Sequence, residues 1–150
     1  MDKTIAMPRL ETIRLEKWHR YLLYLASLGL MVTGIAWLWF HYFDRLEDEY
    51  GSMPHPLEYV VLQWHGVWAF LFIFLFGSLL NGHMRQAWAL GRNRIAGSLL
   101  LTNLLILTVT ACLLYYASHE MLRDYASVVH WLAGLLAGVC LPLHIMLGRK

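Results

Sequence analysis

Charged residues divide this chain into four long apolar stretches. Tyr21–Phe43, Tyr59–Met84, Ile95–His119 and Tyr125–Gly148 contain no Asp, Glu, Lys or Arg. Each reaches the roughly 20 residues that a helix needs to cross about 30 Å of hydrocarbon. The pattern predicts an all-α membrane protein, one four-transmembrane-helix bundle filling residues 1–150, with helices over about 18–43, 59–84, 95–118 and 125–148. The first stretch follows a polar N-terminus and is too long for a signal-peptide core, so it is expected to be a retained helix. Between the first two helices, Ser52-Met53-Pro54-His55-Pro56 breaks helical structure, and residues 44–58 are expected to form an acidic loop.

Composition agrees with a lipid environment. Of the 150 residues 59% are hydrophobic and 15% charged, against about 25% charged in an ordinary soluble domain. Ten of the twelve basic residues lie in the N-terminus (Lys3, Arg9, Arg14, Lys17, Arg20), the middle loop (Arg85, Arg92, Arg94) and the C-terminus (Arg149, Lys150). The positive-inside rule then predicts that both termini and the middle loop are cytoplasmic. Seven of the ten acids, Asp44, Glu47, Asp48, Glu49, Glu58, Glu120 and Asp124, fall on the opposite face, which reads as a docking surface. Trp18, Trp39, Tyr59 and Tyr116, near span ends, read as interfacial belts. Cys112 and Cys140 both fall inside spans and read as small core residues. Without a Cys-x-x-Cys-His run, no covalent c-type haem attachment is expected.

The candidate chemistry lies in the histidines. An ionisable side chain within a span is costly and usually faces a partner or a cofactor. His130 and His144 are 14 residues apart on the fourth helix, about 21 Å along its axis and within about 40° in rotation. Gly134 and Gly138 leave the face between them flat, which suits either a porphyrin or a close small-xxx-small helix contact. A bis-histidine haem needs a second imidazole at matching depth on a facing helix. His65 enters the second span near its outer end, as His130 does in the fourth, and the two define an outer haem iron. His19 and His144 stand at the inner ends of the first and fourth helices and define an inner one. His83 competes for that inner site: it is 18 residues after His65, five whole turns and about 27 Å on, a poorer depth match than His19. His83 therefore reads as an interfacial histidine, and His41, His55 and His119 as solvated loop residues.

These residues give the chain a resemblance to the di-haem cytochrome b family of the formate dehydrogenase gamma subunit and the nickel–iron hydrogenase b-type cytochrome. The matching pieces are Arg14-Leu15-Glu16-Lys17-Trp18-His19 leading to Thr33-Gly34, His65 early in the second span, and His130 and His144 with thirteen residues between them. The resemblance implies two haem b groups ligated from helices one, two and four, and a bacterial-type inner membrane. It implies electron exchange with quinone or quinol, whose pocket beside the inner haem would include Asn93. An outer-face iron–sulfur or multihaem redox subunit is the expected partner, and no nucleic acid. Arg14, Arg20 or Arg85 could pair with the inner propionates. Two further readings stand beside this one: a proton-coupled small transporter whose histidines relay protons, and a haem-poor structural membrane anchor. Against the relay, no span contains Asp or Glu, and the histidines pair by depth across helices.

Overall fold

The computed structural model describes residues 16–49, 51–91 and 93–148. Among the described residues four helices are long and apolar enough to span a membrane: α1 (Lys17–Tyr42), α2 (Pro56–Leu79), α4 (Arg94–Tyr116) and α5 (Glu120–Leu147). The chain is an all-α, multi-pass membrane protein. Beyond α2 the helix continues through a π turn, Leu80–Met84, into the short α3 (Arg85–Ala89).

Helix ends depart from the expected boundaries for local reasons. α2 begins at Pro56, three residues early, because proline at the first helical position loses no hydrogen bond there. The His55 ring caps it, with Nδ1 accepting from the Leu57 amide at 3.1 Å. α5 starts at Glu120, five residues early, with that carboxylate in its first turn, where the helix dipole favours negative charge. The expected 44–58 loop is in part a hairpin, β1 (Leu46–Asp48) paired antiparallel with β2 (Gly51–Met53). Gly51 supplies the positive φ of 113° that its tight turn needs, and Arg45 ties the hairpin base through Nε to Ser52 Oγ at 2.8 Å. At the opposite end of the bundle, Gly91 (φ 69°) and Asn93 (φ 50°) take the left-handed conformations that turn α3 into α4.

Packing makes two antiparallel helical hairpins, α1 with α2 and α4 with α5, joined chiefly where α1 meets α5. Leu23, Ala26 and Leu75 form the core of the first hairpin, flanked by Trp68, Leu71 and Phe72. Gly29 is what lets the Trp68 indole lie against α1, since a Cβ there would overlap the ring. In the second hairpin the buried Asn103 donates from Nδ2 to the Ala133 carbonyl at 3.0 Å, satisfying a polar group where no water competes. Gly138 of α5 accepts the Met31 side chain of α1 at the seam between hairpins. Large apolar side chains such as Phe70, Phe74 and Ile95 point outward, as lipid-facing surface does.

Candidate functional site

Each helical hairpin presents one histidine from its second helix, held by a threonine of its first. In α1/α2, Thr33 Oγ1 lies 2.9 Å from His65 Nδ1; in α4/α5, Thr110 Oγ1 lies 2.8 Å from His130 Nδ1. The direction of both bonds follows from the threonines. Thr33 donates its one hydroxyl proton to the Gly29 and Leu30 carbonyls, and Thr110 donates its own to Ile106 and Leu107. Each oxygen is therefore left to accept, and each imidazole donates from Nδ1–H. In that arrangement Nε2 is the unprotonated nitrogen of both rings, turned away from the threonine that anchors it.

The two rings meet between the hairpins with centroids 6.3 Å apart and planes at 77°. This separation is that of an ordinary edge-to-face ring pair, and it can also be set against the spacing of two imidazoles on one metal. Metal–imidazole bonds are about 2.0–2.1 Å, and a ring with bonds near 1.33 Å has its atoms about 1.1 Å from the centre. Two imidazoles on opposite sides of one metal then have centroids about 6.2–6.5 Å apart. The His65–His130 pair matches that spacing. Room is kept for the His65 ring by Gly34, where an added Cβ would lie 3.4 Å from Cε1.

Among the described residues no group of three or more His, Cys, Asp or Glu converges, whereas a protein-bound zinc takes three or four such ligands. Two imidazoles alone are the donor set that would suit an iron whose other four ligands come from a macrocycle. The two histidines at this position would suit a bis-histidine haem.

At the Asn93 end of the bundle the expected pair was His19 with His144. The His19 Nε2 lies 2.9 Å from Ser78 Oγ and 3.2 Å from the Leu75 carbonyl. Ser78 gives its own proton to Leu75 at 2.6 Å, so His19 donates, and its Nε2–H is committed to α2. The Nδ1 atoms of both His83 and His144 are buried and have no hydrogen-bond partner among the described residues. His144 Cε1 would lie 3.7 Å from a Cβ at Gly97 of α4. Asn93, the expected quinone-pocket residue, reaches the end of α5: its Nδ2 would lie 3.4 Å from a Cβ at Gly148, one turn beyond His144.

The three remaining histidines stand at the opposite end. His41 Nδ1 contacts Glu58 Oε1 at 2.7 Å and its ring stacks on Trp37 at 4.5 Å. His55 caps α2 and stacks on Phe40 at 4.6 Å, so neither is merely solvated. His119 occupies the N-cap position of α5. Of the three arginines expected near propionates, Arg14 lies outside the described residues, as do Lys3, Arg9, Arg92, Arg149 and Lys150. The Arg20 guanidinium lies over the Tyr21 ring at 5.6 Å, and Arg85 is exposed in the first turn of α3.

Sequence reasoning missed Thr33 as a histidine anchor, although the Thr33-Gly34 pair carried part of the resemblance, and missed Thr110 altogether. Both are mid-span threonines, which usually back-bond to the helix and signal nothing more. No family model, no curated protein and no solved structure matches this chain.

Proposed function

We propose that this protein is a di-haem b-type cytochrome, the membrane subunit through which an outer-face redox partner exchanges electrons with the quinone pool. The observation that carries the reading is the His65–His130 pair, whose 6.3 Å separation and threonine-fixed tautomers suit coordination of one iron from two sides. His144 is the protein ligand of a second, inner haem, facing either His19, as the resemblance implies, or His83. Asn93, beside the end of α5, is the candidate polar group of a quinone pocket.

Bound haem supplies one-electron redox chemistry; the residues supply its setting. Thr33 and Thr110 orient the imidazoles and, by accepting from Nδ1–H, raise their donor strength toward a metal. The apolar helices around the pair exclude water and lower the local dielectric, which tunes the potential of a charged centre. By the positive-inside rule, the termini and the 85–94 turn face the cytoplasm of a bacterial-type inner membrane, and the β1–β2 hairpin faces out. The acidic outer residues then meet an iron–sulfur or multihaem subunit.

Reduced-minus-oxidised visible spectra, with haem counted per polypeptide, test this reading. About two non-covalent, low-spin haems per chain are expected. A chain that binds none and conducts protons is a transporter; one that binds none or one and only tethers a peripheral enzyme is an anchor.

A further inference from the structure

At the end of the bundle that carries the β1–β2 hairpin, a cleft of about 430 Å³ lies where the last turns of α1 meet the first turns of α2. Its walls include Trp37, Pro54, Pro56 and Tyr59. Glu58 also lines it, and this carboxylate is only half provided for. Oε1 receives the His41 Nδ1–H at 2.7 Å, whereas Oε2 is buried and has no hydrogen-bond partner among the described residues. A carboxylate accepts through both oxygens, and a buried oxygen without a donor costs free energy that a bound donor recovers. Both histidines at the cleft are already placed. The His41 ring lies on Trp37, with centroids 4.5 Å apart and planes at 16°. His55 accepts from the Leu57 amide through Nδ1 at 3.1 Å and stacks on Phe40 at 4.6 Å.

The missing donor therefore has to come from a guest of the cleft. Indole and phenol rings attract a cation through their quadrupoles, and a carboxylate with an unused oxygen asks that cation for an N–H. A primary ammonium meets both conditions; a quaternary one has no proton to give.

Three features make this ammonium the end of a lipid. The cleft stands where α1 ends at Tyr42 and α2 begins at Pro56, and both helices are long and apolar enough to span a membrane, so it lies at head-group depth, where tryptophan and tyrosine gather. Phe40, which stacks on His55 of this cleft, also lines a second and apolar cleft on α1 with Val32, Ile35, Ala36 and Trp39. That groove runs back into the span and suits an acyl chain. Finally, Arg45 donates from Nη1 to the His41 carbonyl at 3.3 Å and from Nε and Nη2 to Ser52. A guanidinium has five N–H groups, so two remain for a phosphate, next to the residue whose ring holds Glu58.

We propose that this cleft binds a phospholipid whose headgroup ends in a primary ammonium. The ammonium sits on Glu58 beside Trp37 and Tyr59, the phosphate at Arg45, and one acyl chain along the Val32–Phe40 face of α1. The site does not depend on the di-haem reading.

The test uses the full-length protein in detergent, titrated with phosphatidylethanolamine, phosphatidylcholine and phosphatidylglycerol of matched acyl chains, with bound lipid counted by native mass spectrometry. A single phosphatidylethanolamine should bind per chain, about tenfold more tightly than phosphatidylcholine, which is the discrimination that one charge-assisted hydrogen bond supplies. Phosphatidylglycerol, which brings no cation, should not saturate the site. Glu58→Gln should erase the preference for phosphatidylethanolamine over phosphatidylcholine. Because that variant also disturbs the contact with His41, Tyr59→Leu provides a second reading: it keeps an apolar wall, removes the ring, and should weaken both lipids about fivefold. Equal affinity for phosphatidylethanolamine and phosphatidylcholine, or binding that neither variant changes, overturns the proposal. Free ethanolamine that binds as tightly as the lipid makes the cleft a site for a soluble amine and overturns the lipid assignment.

Discussion

Gly34 stands at the edge of the His65 imidazole, with 3.4 Å between Cε1 and the position a Cβ would take. The contact sets a size limit on α1 at the level of the His65–His130 pair. Alanine at 34 brings one methyl group into tight contact that the ring can yield to, whereas leucine has to displace it. On the proposed di-haem reading, Gly34→Ala should retain the outer haem with a small spectral shift, and Gly34→Leu should lose it while keeping the inner one. Haem counts on the two variants check this, and an unchanged count in Gly34→Leu would show that His65 has no fixed position to defend.

Thr33 and Thr110 act on the same pair from the other side of each ring. Replacing either with valine keeps the side-chain shape and removes the acceptor for Nδ1–H. The buried donor then goes unpaired, at a cost of about 1–3 kcal/mol, and the ring loses its orientation. Loss of an outer partner of this kind typically weakens binding about 10–100-fold, so outer-haem affinity should drop by that order in Thr33→Val and in Thr110→Val. The outer midpoint potential should rise in both, since a less basic imidazole stabilises ferric iron less. Haem titration and a redox titration read the two effects separately; serine at either position should restore both.

What the sequence disclosed depended on the length scale of the signal. The four spans were legible because the absence of charge over some twenty residues is a property that lipid enforces on every position. His65 and His130 were legible as a pair because regular helices turn residue number into depth. The same arithmetic treated the second helix as regular through His83, whereas a five-residue π turn changes the register there and leaves no compositional mark. The β1–β2 hairpin was hidden in the same way: three-residue strands are too short for alternation to show, and only Gly51 hints at the turn. Threonine anchoring was out of reach because Thr33 and His65 are 32 positions apart and meet only once the helices pack.

Gly29 makes a stability prediction independent of any cofactor. A Cβ at 29 overlaps the Trp68 indole, which packs on Leu23, Ala26 and Leu75 at the centre of the α1/α2 hairpin. Overpacking of this sort costs roughly 1–3 kcal/mol. Gly29→Ala should therefore lower the unfolding midpoint in detergent, and Trp68→Phe in the same chain should recover part of the loss. Equal midpoints for Gly29→Ala and the parent protein would mean that the indole is free to move aside.

Partner docking offers the last test, and the fold says which acids to change. Glu58 is not available: its carboxylate contacts His41 at 2.7 Å and its side chain is only 15% exposed. Glu47, Asp48 and Glu49 stand exposed on the β1–β2 hairpin, with Glu120 and Asp124 exposed at the same end of the bundle on α5. Exposed charges act mainly through long-range attraction, which raises association rates and is screened within about 8–10 Å at physiological salt. Reversing Glu47 and Asp48 to lysine should slow association with the proposed outer redox subunit about tenfold at low salt, flatten the salt dependence of that rate, and leave the dissociation rate nearly unchanged. Glu58→Gln should leave the association rate alone and instead loosen the junction between α1 and α2, visible as faster proteolysis near residues 43–55. Stopped-flow association measured across a salt series distinguishes the two classes of acid. A hairpin variant that associates at the parent rate at every salt concentration would mean that the partner approaches by another surface.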